Sequence, residues 1–279
     1  MHGLSTAALM KLGAFALVLT MVAGGVWSAL LVVNLRATPA IPWSVAVMAT
    51  LLWLAWRLLR RTRARRTRLR AVPVPKPVLV WALVAGLLAI AALSGLWIVL
   101  SQLVHVKGNA LPDFSQYPVI TVVLVIAMAA LTSAAAEEAG FRGYLQSALE
   151  LRFNAPLAIV LSTLVILPAH ALTQGFAVTT ILFYLCVDVM LGVTAYLTQS
   201  IVPGFVVHVI GLVVFFSLIW PFDAGRRFVG TSGPDMVFWI HVAQVPACGV
   251  LSVLAFRHLA RLSRPLRARH EAPAGGSAY

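Results

Sequence analysis

Long unbroken apolar stretches decide what this chain can fold into. A bilayer core about 30 Å thick is crossed by roughly 20 apolar residues in a helix. Eight such stretches follow one another in the 279 residues, at about 12–34, 43–59, 78–104, 118–137, 156–172, 177–198, 201–220 and 236–256. They are continuous and not alternating, which excludes a membrane β-barrel. Of all residues, 61% are hydrophobic and 10% charged, against roughly 25% charged in a soluble domain. The pattern predicts an all-α polytopic transmembrane bundle of about eight helices. It is a single domain over 1–270 with a disordered tail at 271–279. The first stretch follows a thin basic segment, Lys11 alone, and outruns the apolar core of a cleavable signal, so it reads as a retained span. Cys186 and Cys248 both lie in apolar runs. They offer no disulfide framework and read as packed thiols.

The charges orient the bundle. Against eight acids stand 21 lysines and arginines, a formal net charge of +13. Eight of the arginines fall in Arg57–Arg70, and Arg257, Arg261, Arg264, Arg267 and Arg269 close the chain. By the positive-inside rule both segments face the cytoplasm. Eight spans then put both termini inside and leave only Arg36, Lys107, Arg226 and Arg227 outside. This reading makes a multi-pass cell-membrane protein whose basic loops meet anionic lipid. Nucleic acid is not an expected partner, because the arginine run has no interleaved aromatics and no folded module. The Pro73-Val-Pro-Lys-Pro77 stretch ends that loop in an extended form.

The informative residues are polar ones within apolar runs, since a charge at the centre of a membrane helix costs roughly 2.5–3.5 kcal/mol. They are Glu137, Glu138, Arg142, His170, Asp188 and His208. Glu138 and Arg142 are i and i+4 and share a helix face. Glu137 points about 100° away and is free to face a cavity. One carboxylate is then tied to an arginine and the other is available as a general base. His170 and His208 lie in the fifth and seventh runs, about 22 Å and 10 Å from the inner surface. The glutamates reach a depth between them only if the fourth helix continues past Glu137 to about residue 150. A long helix over 118–150 is therefore expected. His2, His105, Asp113, His241, His258 and His270 read as surface or interface residues.

Glu137-Glu138-x-x-x-Arg142, followed by His170 and His208 on later helices, resembles the CAAX prenyl protease and bacteriocin-processing (CPBP, or Abi) family of eight-helix intramembrane proteases. The family pattern is Glu-Glu-x-x-x-Arg, then Phe-x-x-x-His, then His-x-x-x-Asn or Asp. The first block is matched in full, including Phe141-Arg142-Gly143. Ile166 stands where Phe is usual, and Leu212 where Asn or Asp is expected. The resemblance covers about 118–220. It implies that Glu137 activates the attacking water with help from His170, that His208 positions water or stabilises the oxyanion, and that Glu138 and Arg142 hold the helix. Asp188 is placed to orient a histidine.

The resulting expectation is an intramembrane endopeptidase that hydrolyses membrane-associated or leader-bearing peptides or proteins. The Ala- and Arg-rich composition suggests a bacterial chain, for which peptide maturation or self-protection fits better than prenylated substrates. The alternative is a non-catalytic scaffold or immunity protein on the same fold, or a proton-coupled transporter. No cofactor is expected. Two histidines and a glutamate form a conceivable zinc set, but His-Glu-x-x-His is missing, and glutamate-based hydrolysis without metal is favoured.

Overall fold

The computed structural model describes residues 5–104, 114–219 and 227–271. The tail 272–279, His2, His105, Lys107, Asp113 and Arg226 lie outside the described residues. Among the described residues there are helices and no strands: α1 (Thr6–Ala37), α2 (Trp43–Leu59), α3 (Arg63–Leu69), α4 (Lys76–Leu103), α5 (Val119–Leu149), α6 (Ala155–Gln174), α7 (Val178–Thr198), α8 (Val202–Ile219), α9 (Val229–Ser232), α10 (Met236–Leu262) and α11 (Arg264–Glu271). Seven of them are long and apolar enough to cross a membrane: α1, α4, α5, α6, α7, α8 and α10. The chain is a polytopic helical bundle. The expected second span, α2, has 17 residues, about 26 Å of helix, which is slightly short of a bilayer core.

Side chains of ordinary turn chemistry set the helix ends. Ser5 caps α1 by accepting from the Ala8 amide, Asn154 caps α6 by accepting from Leu157, and Asp235 caps α10 by accepting from Phe238. Each oxygen satisfies one orphan donor of a first turn. Asn34, fully buried near the end of α1, staples the α1–α2 turn. Its Nδ2 donates to the carbonyls of Thr38 (3.0 Å) and Ile41 (2.8 Å), and its Oδ1 accepts from the Ser44 amide (2.9 Å).

The connections sort to two ends of the bundle. At one end the 38–42 turn meets the start of α5, where Thr121 Oγ1 donates to the Pro39 carbonyl. At the other, Arg70 pairs with Glu150 at 2.7 Å, the Ile201 amide donates to the Arg70 carbonyl, and Ser200 Oγ donates to the Val72 carbonyl. Arg152 reaches Thr6 near the N-terminus from this end too. The connections that charge counting assigned to one side of the membrane thus lie together. Although short, α2 runs from one end to the other, and its last carbonyls include the acceptor of Tyr144 Oη at Leu59.

The arginine loop is more structured than a solvated linker. Thr62 caps α3, and Leu69 at its end is fully buried against Ala139, Tyr144 and Ile201. The close fit depends on Gly143 in α5, where a Cβ would stand 3.0 Å from the Leu69 carbonyl oxygen. The chain after α3 turns through Arg70 in the left-handed region (φ 51°) and is non-helical over residues 71–75, after which α4 begins with Pro77 in its first turn. Cys186 corrects one expectation: it lies exposed on α7 and not in the packed interior, while Cys248 is partly buried.

Candidate active site

The length of α5 brings the glutamates into the bundle. The helix does not stop at Glu137 but continues to Leu149, with its hydrogen bonds widened to the π pattern over Glu138–Gln146. The expectation of a long fourth helix matches this, whereas the π stretch carried no sequence signal. Such widened turns are rare and concentrate at functional sites. The whole stretch is buried.

The two adjacent carboxylates face different surroundings. Glu138 is fully buried, and its Oε1 lies 3.2 Å from His208 Nδ1 and 3.8 Å from Arg142 Nε. Gly204 in α8 leaves room for it, since a Cβ there would come within 3.0 Å of Glu138 Oε2. Glu137 instead lines a cavity, and its Oε2 lies 3.8 Å from His208 Nε2. His208 therefore touches the structural carboxylate with one ring nitrogen and faces the cavity carboxylate with the other.

Arg142 joins the rest. Its Nη2 contacts Asp188 Oδ1 closely and also lies 3.3 Å from the Asp188 carbonyl oxygen. Asp188, buried in α7, places Oδ2 3.3 Å from His170 Nε2. A continuous polar chain results: His208, Glu138, Arg142, Asp188, His170. It spans α5, α6, α7 and α8, all of it where charge is costly unless paired. All six residues singled out in the sequence come together. Of the other histidines, His241 pairs with Gln244 on α10, and His258 packs on Trp81.

Sequence reasoning missed Tyr184. Its ring stacks on His170 at 4.0 Å between centroids with an interplanar angle of 9°. Tyr184 and Asp188 are one turn apart on α7, so one helix face holds His170 by its ring face and by its edge. The spacing of four was legible, but nothing local linked it to His170 on another helix.

The cavity has a volume of about 260 Å³. Glu137, His170, His208, Tyr184, Thr20, Ser94 and Ser133 supply its polar lining, and the rest is mainly apolar, including Leu93, Phe183, Phe215 and Ile219. Leu212, one turn beyond His208, also lines it. The wall position where the family motif carries an amide or carboxylate is thus hydrocarbon here. A potential ligand set for a metal is present as well: Glu137, His170 and Asp188 each offer one atom within 4.8 Å of the others. Of these, Asp188 is already engaged by Arg142 and His170.

The segment that carries the charged residues of the site is similar to a known family. Residues 119–214 fit the Rce1-like type II CAAX prenyl endopeptidases. The match begins at the first residue of α5 and takes in Glu137, Glu138, Arg142, His170, Asp188, His208 and Leu212. It agrees with the resemblance read from the motifs. Over that segment the chain is similar to CAAX-type proteases. No curated protein and no solved structure matches the chain.

Proposed function

We propose that the protein is an intramembrane endopeptidase in which Glu137 activates water against a peptide bond held in the cavity. The observation that carries this reading is the division of labour between neighbours. Glu137 faces the cavity beside two histidines, while Glu138 is buried behind it in the Arg142 network.

In the proposed reaction a water held by Glu137 and His170 attacks the scissile carbonyl carbon. Its proton passes to the Glu137 carboxylate, and the carbonyl oxygen becomes an oxyanion. His208, whose Nδ1 is held at Glu138, turns Nε2 toward that oxygen as donor or toward the water. Protonated Glu137 then gives its proton to the departing amine as the C–N bond breaks. Asp188 and Tyr184 hold His170 in place, and Arg142 ties the two halves. The largely apolar cavity suits the apolar residues of a membrane-associated or leader-bearing substrate. The chain is proposed to lie in the cell membrane with both termini and the arginine-rich loop on the cytoplasmic side. The test is cleavage of a membrane-peptide library by purified protein, with His208→Ala as a control. Transport in proteoliposomes without cleavage would overturn the reading.

The proposed hydrolysis needs no metal. A cation among Glu137, His170 and Asp188 would stand beside the Arg142 guanidinium and compete with it for Asp188. Zinc wants three or four uncommitted ligands at about 2.0–2.2 Å. Cleavage is therefore expected to survive exhaustive chelation with its rate unchanged. Loss on chelation with recovery on added zinc would assign the site to a metal.

Leu212 bears on speed and on the non-catalytic alternative. A missing oxyanion donor costs on the order of a hundredfold or more in kcat. L212N puts an amide at the cavity wall one turn from His208, and kcat is expected to rise by roughly ten- to a hundredfold. An unchanged kcat would mean that another group already serves that oxygen.

A further inference from the structure

At the end of α10 four arginines converge away from the candidate active site. Arg257, Arg261, Arg264 and Arg267, with Ala260, line a cavity of about 380 Å³. Ser263 builds it. This buried residue ends α10, its Oγ donates to the Leu259 carbonyl at 2.8 Å, and α11 starts at the next residue. Arg267 folds back across the break: Nη1 donates to Ser263 Oγ at 2.7 Å and Nη2 to the Ala260 carbonyl at 2.8 Å. Its guanidinium carbon lies 5.8 Å from the centre of the Tyr196 ring at the end of α7. Among the described residues none of the four arginines is paired with a carboxylate. Four guanidinium groups around one cavity repel one another, and the complementary ligand for such a cluster is an anion that accepts several donors at once. Phosphate has that geometry.

Two features point to a lipid as its source. First, α10 is 27 residues long, about 40 Å, against a hydrocarbon core of about 30 Å, so its last turns reach the headgroup layer. Secondly, the arginines continue an apolar stripe. Val250 and Leu254, 60% and 53% exposed, precede Arg257 and Arg261 on α10 at spacings of four, three and four. One helix face thus offers hydrocarbon contact and then cationic contact, in the order of an acyl chain and its phosphate.

We propose that Arg257, Arg261, Arg264 and Arg267 form a specific site for the phosphate of one anionic phospholipid headgroup, with its acyl chains along Val250 and Leu254. This site is separate from the proposed protease chemistry and does not depend on it. The test titrates the full chain in neutral detergent with phosphatidylglycerol, phosphatidylcholine or inorganic phosphate, read by native mass spectrometry for lipids and by thermal unfolding for all three. Phosphatidylglycerol is expected to fill one tight site that phosphatidylcholine does not. Each arginine at a lipid surface contributes about five- to sixfold, so R261A/R264A is expected to bind roughly thirtyfold more weakly. R63A/R66A, which removes exposed arginines of α3, is expected to leave that site unchanged. Equal weakening by both double variants would reduce the site to diffuse charge and overturn the proposal. Undiminished binding by R261A/R264A would do the same, as would inorganic phosphate stabilising as strongly as the lipid. Should the double variant fail to fold, R264Q alone is read, with about fivefold loss expected and no loss counting against the site.

Discussion

Glu137→Gln is expected to lower the rate of cleavage by about two to four orders of magnitude, the range for removing a positioned general base. The amide keeps the shape of the side chain and loses the basic oxygen. The structural cost is expected to be small, because the buried network passes through Glu138, Arg142 and Asp188 and not through Glu137. The only ion pair that Glu137 makes among the described residues is the 3.8 Å approach to His208, which is too long for a strong hydrogen bond. Single-turnover cleavage and the thermal unfolding midpoint, measured on the same preparation, separate the two effects. The expected pair is a lost rate and a midpoint within a few degrees of wild type. Cleavage at the wild-type rate would remove Glu137 from the reaction. Glu138→Gln provides the contrast. It weakens the contacts to Arg142 and His208 together, so rate and midpoint should fall together.

What the sequence made legible was whatever its local period encodes. Hydrophobic length located the long spans because each helix must carry its own apolar surface. Spacing paired Glu138 with Arg142, and the depth argument required α5 to run on past Glu137, as it does to Leu149. What stayed hidden was cross-helix partnership. Arg142 reaches Asp188, 46 residues away, more closely than Glu138, its neighbour by spacing. No periodicity reports such a contact. The stack of Tyr184 on His170 was hidden for the same reason. The docking of the arginine loop was hidden for another: seven other arginines mask the two residues that matter structurally, buried Leu69 and Arg70 paired to Glu150. Positive charge there suggested only which side of a membrane the loop occupies. The π stretch over Glu138–Gln146 likewise has no residue signature, since apolar periodicity does not report the hydrogen-bond register within a helix.

Arg142→Met is expected to be the most damaging single change to stability. Arg142 is the only cation among the described residues between Glu138 and Asp188, and both acids are almost wholly inaccessible. Removing one partner of a buried pair costs about 3–5 kcal/mol in soluble proteins, because the other charge is left without compensation. In a bilayer the unfolded helices find other partners, which trims such values, so a loss of about 2–4 kcal/mol is expected. It would appear as a lower unfolding midpoint and reduced yield. Arg142→Lys is expected to recover only part of it, since a point charge cannot fork between two carboxylates as a guanidinium does. The decisive variant carries Arg142→Met with Glu138→Gln and Asp188→Asn. It removes the cation and both buried anions together, so the unfolding midpoint should return most of the way toward wild type. Cleavage should stay low, because His170 and His208 lose the carboxylates that aim them. A triple variant as unstable as Arg142→Met would show that the arginine acts through packing and not charge. One that cleaves at the wild-type rate would show that the polar chain holds the helices together without aiming the histidines.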